Sequence, residues 1–256
     1  MKQGLPVALI AGGANNIGAA CARLMAADHF VVVADLADPT PVVEEIGSDR
    51  AVGIQGDIGN YRDCEAWIDK AQSIGELKCL INTVGISSPA DFVENLALDE
   101  WDRIIHINLT GSFYLARAAI PALCRSPAKD RAIVMVSSRS GKGGTASLGA
   151  VKMSKAHYCC SKAGLICLVK CLAHELAEKQ ICVNAVAPGP IQSVNPDGRA
   201  GGTINPALWD TISAKVPLKR MGTPEDVAHA CAYLCSGGAR FITGHTLDVN
   251  GGTLMD

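Results

Sequence analysis

A chain of 256 residues with 48% apolar content and a formal net charge of −2 can fill one large core, but gives no electrostatic footing for nucleic acid or an anionic membrane. Aromatic residues are only 4%, so that core must be built from Val, Ile, Leu, Ala and Gly, which suits parallel strands covered by helices. The N-terminus has neither the length nor the cleavage pattern of a signal peptide, no uninterrupted apolar run approaches the roughly 18 residues of a membrane span, and the eleven cysteines show no paired CxxC spacing; together these predict a cytoplasmic protein with free thiols and no metal site.

In chain order, short apolar runs alternate with helical patterns. The runs are Val7–Ala11, Phe30–Ala34, Ala51–Gln55, Cys79–Ile81, Ala132–Val136, Cys182–Val186 and Thr246–Val249. Each is too short for a helix and alternates little, as expected of a strand buried on both faces. Between them the periodicity predicts helices over Ile17–Ala27, Tyr61–Ser73, Leu98–Leu123, Lys155–Glu178 and Glu225–Ser236. Strand–helix–strand repetition predicts an α/β fold: one doubly wound, Rossmann-type parallel sheet of about seven strands, a single domain over residues 1–256. Two helical stretches, around Trp101–Ile120 and Ala163–Ala173, are apolar almost all round, which predicts cover from a second copy of the chain, as a homodimer or homotetramer.

Between the first strand and first helix lies Gly12–Gly13–Ala14–Asn15–Asn16–Ile17–Gly18. Glycines let backbone approach a pyrophosphate, and a helix N-terminus offers free N–H groups and the positive end of its dipole. The second strand runs into Asp35, seventeen residues past Gly18. A carboxylate there can accept bonds from the adenosine ribose hydroxyls and repels a 2′-phosphate. The following residues are Leu36 and Ala37, and Asn15 and Asn16 are uncharged, so the reading is NAD rather than NADP.

Of the four tyrosines only Tyr158 has a lysine, Lys162, one helical turn on. Moving a hydride between an alcohol carbon and nicotinamide requires moving a proton at the oxygen. A free phenol is a poor base at neutral pH, but an ammonium one turn away and the positive ring of the oxidised cofactor would lower its pKa. Ser138, just past the fifth strand, can hold the substrate oxygen. His106 and His157 read as bystanders, since the Tyr/Lys pair already fills the role.

These features, in this order and across nearly the whole chain, resemble the short-chain dehydrogenase/reductase family. The turn Ala11–Gly18 is similar to its TGxxxGxG, with Asn16 at the middle glycine; asparagine is the non-glycine residue best suited to positive φ. "GDI" supplies Asp57, which the resemblance places against adenine, and Ile58 beside it. "NTVG" (Asn82–Gly85) stands for NNAG, with Thr83 and Val84 as departures. "HINLTGSF" supplies Asn108, "VSSRSG" Ser138, "YCCSK" Tyr158 and Lys162, and "NAVAPGPIQS" Pro188, Gly189, Ile191 and Ser193. The resemblance implies catalysis by Asn108, Ser138, Tyr158 and Lys162, with Asn108 holding a water that relays a proton from Lys162. It implies NAD binding by Gly12, Asn15, Asn16, Ile17, Gly18, Asp35, Asp57, Ile58, Asn82, Gly85, Tyr158, Lys162, Pro188, Gly189, Ile191 and Ser193.

Ser138 lies twenty residues before Tyr158, more than the family pattern. The extra segment Gly141–Lys155 is expected beside the substrate pocket, and Ser138 is preferred over Ser137, Ser140, Ser147 and Ser154 because Gly141 follows it by three. Pro190–Lys215, rich in Gly and Asn with Arg199 and Trp209, reads as a mobile substrate lid. The expected substrate is a small alcohol or ketone: a sugar, polyol or hydroxy acid. A non-catalytic NAD-binding scaffold would be expected to lack one of the four catalytic residues. A sugar-nucleotide epimerase would need a larger part than the 63 residues after Ser193.

Overall fold

Seven parallel strands form one sheet in the order β3-β2-β1-β4-β5-β6-β7. In this computed structural model, which describes residues 4–89, 91–145, 155–192 and 205–255, the strands are β1 (Val7–Ala11), β2 (Phe30–Asp35), β3 (Ala51–Gln55), β4 (Leu77–Asn82), β5 (Arg131–Val136), β6 (Ile181–Pro188) and β7 (Thr246–Val249). Every pairing is parallel. Each apolar run became a strand because both faces of the sheet are covered, so no polar face was needed. Strand order reverses between β1 and β4, which opens a crevice at their carboxyl ends, the place where such sheets bind ligands.

The helices divide between the two faces. One core layer packs residues of α3 (Tyr61–Ile74), α5 (Gly111–Arg125) and α7 (Ala156–Leu176) on Leu9, Leu80, Ile133 and Val183. The other packs α1 (Asn16–Met25), α2 (Thr40–Ile46) and α9 (Pro224–Leu234) on Ala8, Ile10, Ile81 and Val134. α9 opens with a reciprocal cap in which the Thr223 hydroxyl accepts from the Asp226 N–H and the Asp226 carboxylate accepts from the Thr223 N–H, with Pro224 in the first turn. Such a cap contributes about 1 kcal/mol and stops the helix from fraying into the preceding loop.

Three short helices were not expected from periodicity: α2, α6 (Arg139–Gly143) and α8 (Trp209–Lys215). The expected single helix Leu98–Leu123 is instead α4 (Leu98–Ile105), one π turn at His106–Thr110, and α5. The stretch Ala156–Lys179 is long and apolar enough, with mean hydropathy 1.2, to meet the composition test for a membrane span, which the search for uninterrupted apolar runs passed over. Its Leu165, Val169, Leu172 and Leu176 are spent on the sheet, as in the core helix of a globular protein. Its other side, with Cys160, Ala163, Cys167 and Cys171, is exposed in the single chain.

Candidate active site

The turn after β1 is held shut by main-chain bonds and one side chain. The Gly12 and Gly13 N–H groups both donate to the Ala34 carbonyl of β2. Thr83, a departure from the family spelling, donates its Oγ1 to the Ala11 carbonyl (2.9 Å) and the Gly12 carbonyl (3.1 Å), so it ties the turn to the end of β4. Asn16 adopts φ of 47°, the left-handed conformation that glycine has in the family pattern and that asparagine tolerates best among the rest. At Gly18 a Cβ would stand 1.9 Å from the Gly12 carbonyl oxygen; only glycine lets the helix start this close to the turn. Gly18→Ala is therefore expected to cost about 1–3 kcal/mol of stability and to weaken dinucleotide binding at least about tenfold, measured by thermal melts and by titration with the cofactor; a variant with unchanged affinity would contradict this account of the turn.

The same turn passes a fit test for a dinucleotide. α1 begins at Asn15 without a side-chain cap, so its first N–H groups, Asn16 and Ile17 among them, are left for a ligand. The Asn16 Oδ1 atom is buried with no partner, an acceptor that a ligand hydroxyl such as a ribose O–H would satisfy. Asp35 closes the far side. One carboxylate oxygen accepts from the Ala14 N–H and the other from the Ala37 N–H, each at 2.9 Å, which fixes the carboxylate at the end of β2. Asp57 is fixed in the same way, accepting the Gly59 N–H while its own N–H donates to Asp63.

Two expected cofactor contacts turn out differently. Ile58 is a core residue, 3% exposed. It packs against Gly111, and its carbonyl accepts from the Cys64 thiol, so its side chain has no share in a nucleotide site. Asn82 uses its carboxamide internally, donating to Ser112 Oγ at 2.9 Å and accepting from the Val84 N–H at 3.1 Å; it shapes the loop after β4. On the other side of the crevice, Pro188 ends β6. Gly189 donates to the Val249 carbonyl and packs so closely on Asn250 that a Cβ would meet its Cα at 2.7 Å, and Ile191 bridges to Gly222. Ser193, Arg199, Ser147 and Ser154 lie outside the described residues, as do residues 193–204 of the expected lid and 146–154 of the extra segment after Ser138.

Asn108 is fully buried in the π turn. Its Oδ1 accepts from the Ile86 N–H at 2.8 Å, and its two amide hydrogens go to the Ile86 carbonyl (2.9 Å) and Ser161 Oγ (3.0 Å). The extra residue in the turn brings the carboxamide out of helical register and against the loop after β4. Both amide hydrogens are committed to protein, so the carboxamide positions the loop after β4 against α7. Two serines that sequence reasoning passed over complete the network. Ser112 accepts from Asn82 and donates to the Asn108 carbonyl, and Ser161 accepts from Asn108 and donates to the Tyr158 carbonyl. Their spacing was the only available signal: Ser112 follows Asn108 by four, and Ser161 follows Tyr158 by three.

Ser138, Tyr158 and Lys162 converge at the mouth of the crevice. Ser138 caps α6, its Oγ accepting the Ser140 N–H at 3.1 Å, and its side chain acts to lower the pKa of the Tyr158 phenol. Ser137 is turned away, donating to the Lys162 carbonyl at 2.8 Å. A Cβ at Gly141 would meet the Lys162 carbonyl carbon at 2.6 Å, so the glycine three residues after Ser138 is what lets α6 lie against α7 and aim Ser138 at the phenol. The Lys162 Nζ stands 6.0 Å from the Tyr158 ring centre and donates to the Val136 carbonyl at 2.9 Å. A Cβ at Gly85 would meet this ammonium at 2.7 Å, so Gly85 leaves room for it.

The protein groups alone work against a depressed phenol. Burial pushes the Tyr158 pKa up, and the hydrogen bond with Ser138 pulls it back only partly. Burial also lowers the Lys162 pKa to about 8, because its amine meets a neutral carbonyl and no carboxylate. His157 is tied to Ser88 and His106 to the Gly59 carbonyl, both outside this cluster.

Tyr158 thus has a buried lysine one turn on and Ser138 at the start of the neighbouring helix, at the same end of the sheet as the glycine-rich turn after β1. A family model described as "Enoyl-(Acyl carrier protein) reductase" matches residues 12–253. The chain belongs to the short-chain dehydrogenase/reductase family. It is similar to a 3-oxoacyl-(acyl-carrier-protein) reductase of Rickettsia conorii, 34% identical over 96% of each chain. It is also similar to an acetoacetyl-CoA reductase of Shinella zoogloeoides, 31% identical over 96% of this chain and 97% of that one. A solved short-chain dehydrogenase/reductase from Brucella melitensis, titled glucose/ribitol dehydrogenase, superposes with a TM-score of 0.83 at 30% identity, covering 98% of this chain and 97% of that one. The family assignment makes the chain an oxidoreductase that works with a nicotinamide cofactor.

Proposed function

We propose that this protein is an NAD(H)-dependent oxidoreductase that interconverts a secondary alcohol and its ketone on a small hydroxylated molecule such as a sugar, polyol or hydroxy acid. The observation that carries the reading is the buried Lys162 ammonium 6.0 Å from the Tyr158 ring, with Ser138 acting on the phenol from the other element. In it Ser138 holds the substrate oxygen, and Tyr158 takes the proton from the alcohol or returns it to the developing alkoxide. Lys162 supplies positive charge toward the phenolate, and Asn108 keeps the loop after β4 and α7 in register. The nicotinamide, when bound, supplies or accepts the hydride and in its oxidised form carries a positive charge. Gly12, Asn15, Asn16, Ile17 and Gly18 would hold its pyrophosphate, Asp35 and Asp57 its adenosine, and Gly85, Tyr158, Lys162, Pro188, Gly189 and Ile191 its nicotinamide half.

The preference for NAD over NADP rests on Asp35, whose fixed carboxylate has exposed Leu36 and then Ala37 beside it instead of a cation. Asp35→Ser should reduce the ratio of kcat/KM for NADH over NADPH by about tenfold or more, since like charges brought together cost several kcal/mol. A ratio that stays put would remove Asp35 from the choice.

A second reading, reduction of a 3-oxoacyl thioester, is favoured by the names of the two curated relatives. The deciding experiment is a parallel assay of nicotinamide oxidation or reduction with polyols, sugar acids, hydroxy acids and an acetoacetyl thioester. Turnover confined to the thioester would overturn the hydroxylated-substrate reading. A homodimer or homotetramer is supported by the outward side of α7, with Cys160, Ala163, Cys167 and Cys171 exposed, and by Phe113 of α5 at 42% exposure; such a face is unusual on a monomer.

A further inference from the structure

At the end of the molecule opposite the crevice, four cysteines meet between the sheet and the α1/α9 pair. Cys79 on β4 is fully buried, flanked in the sheet by Ala8 of β1 and Ala132 of β5. Those two small neighbours leave its thiol facing the helices. Its Sγ lies 3.7 Å from the Cys235 carbonyl at the end of α9, which makes Cys235 its neighbour on the helix side. On its other side, 3.9 Å away, is His29 Nε2. The His29 ring is itself 3% exposed, and its Nδ1 meets the Asp28 carboxylate at 2.5 Å. Asp28, by contrast, is exposed to solvent. A second thiol pair, Cys21 of α1 and Cys231 of α9, stands beside the first.

We propose that Cys79 and Cys235 are a dithiol modification site, oxidised by peroxide to a disulfide with the Asp28–His29 pair as the proton acceptor. Carboxylate, imidazole and thiol stand in line, as is needed to generate a thiolate, and Cys235 is the cysteine whose main chain lies against the Cys79 sulfur. His29 takes the Cys79 proton and the thiolate attacks one peroxide oxygen. The O–O bond breaks, leaving a sulfenic acid on Cys79 and hydroxide, which regains the proton as water. The Cys235 thiol then attacks the Cys79 sulfur; the S–S bond forms, the S–O bond breaks and a second water leaves. Two electrons pass from the thiols to the peroxide. The hydrogen bond from Cys235 and then the imidazole lower the Cys79 pKa to about 6. Burial disfavours a charged His29 ring, but the bonds and charges of Cys79 and Asp28 hold its pKa above the ordinary value. Access is through local opening of the turn after α1, at Ala26–His29, and a molecule as small as peroxide needs little of it. The bond would tie the start of β4 to the end of α9, which packs along α1, the helix that opens at the nucleotide turn.

The test treats the full-length protein with hydrogen peroxide and maps cross-linked peptides by mass spectrometry, in a Cys160→Ser/Cys167→Ser/Cys171→Ser background that removes the exposed thiols of α7. The expected product is 2 Da lighter and carries a Cys79–Cys235 peptide, formed about tenfold or more slowly in His29→Gln. Cys235→Ser should instead leave a sulfenic acid on Cys79, trapped by dimedone, which keeps the proposal testable should His29→Gln fail to fold. Cross-linking confined to Cys21–Cys231, or a rate indifferent to His29→Gln, would overturn it.

Discussion

Tyr158→Phe is expected to lower kcat by about 10²–10⁴-fold while leaving the fold intact, because it deletes only the proton carried between substrate oxygen and protein. The protein group that acts on the phenol is the Ser138 hydroxyl, which can turn to another partner, so removing the phenol oxygen strands little. Cofactor affinity should change by less than about tenfold, the value of one hydrogen bond. Separate measurements of kcat and of the cofactor Kd distinguish this from damage to the nucleotide cradle. A large loss in Kd with a modest loss in kcat would move Tyr158 from chemistry to binding. A kcat within a few-fold of the parent would move the proton elsewhere, and His157 is one residue away to receive that suspicion.

Lys162→Met should make the protein more stable and less active at once. A lysine held at about 8 by burial instead of its ordinary value carries a penalty of about 3 kcal/mol at neutral pH. Losing the bond to the Val136 carbonyl gives back part of that, so a net gain of about 1–2 kcal/mol is expected at pH 7. The sign follows from proton counts. Below pH 8 both folded and unfolded chains hold the proton and the penalty is whole. Between 8 and the ordinary lysine value the unfolded chain binds more protons, so the parent gains stability as pH rises and the advantage of the variant shrinks. Denaturant melts at pH 7 and near pH 10 check it, and an advantage that does not change with pH would mean that Lys162 is not buried as a charge. Activity should fall at least about a hundredfold, since the amine is the only cation this close to the phenol in the described structure.

The strands were legible because a parallel sheet covered on both sides demands uninterrupted apolar runs, and the observed ends of Val7–Ala11, Ala51–Gln55 and Thr246–Val249 coincide with those runs. The left-handed Asn16 was legible for a similar reason: only a few residue types tolerate that conformation. What could not be read were features that leave no period. α2 and α8 span two turns each, and α6 is shorter still. The π turn at His106–Thr110 interrupts a helical pattern that continues in phase well enough to look unbroken. The serines at 112 and 161 carry nothing in their type to mark them as network members; only the packing of α5 and α7 against the loop after β4 gives them partners. The direction of the Tyr158 shift was missed because spacing shows a cation one turn away but not how far both groups are withdrawn from water.

The most direct measurement of the central claim is the rate of NADH formation by the parent protein with NAD and a panel of secondary alcohols, run beside the same panel with NADP. A proton-transferring Ser138–Tyr158–Lys162 site next to a 2′-phosphate-excluding Asp35 predicts turnover with at least one polyol, sugar or hydroxy acid and a clear preference for NAD. Saturable NAD binding with no turnover on any alcohol or ketone offered would contradict it.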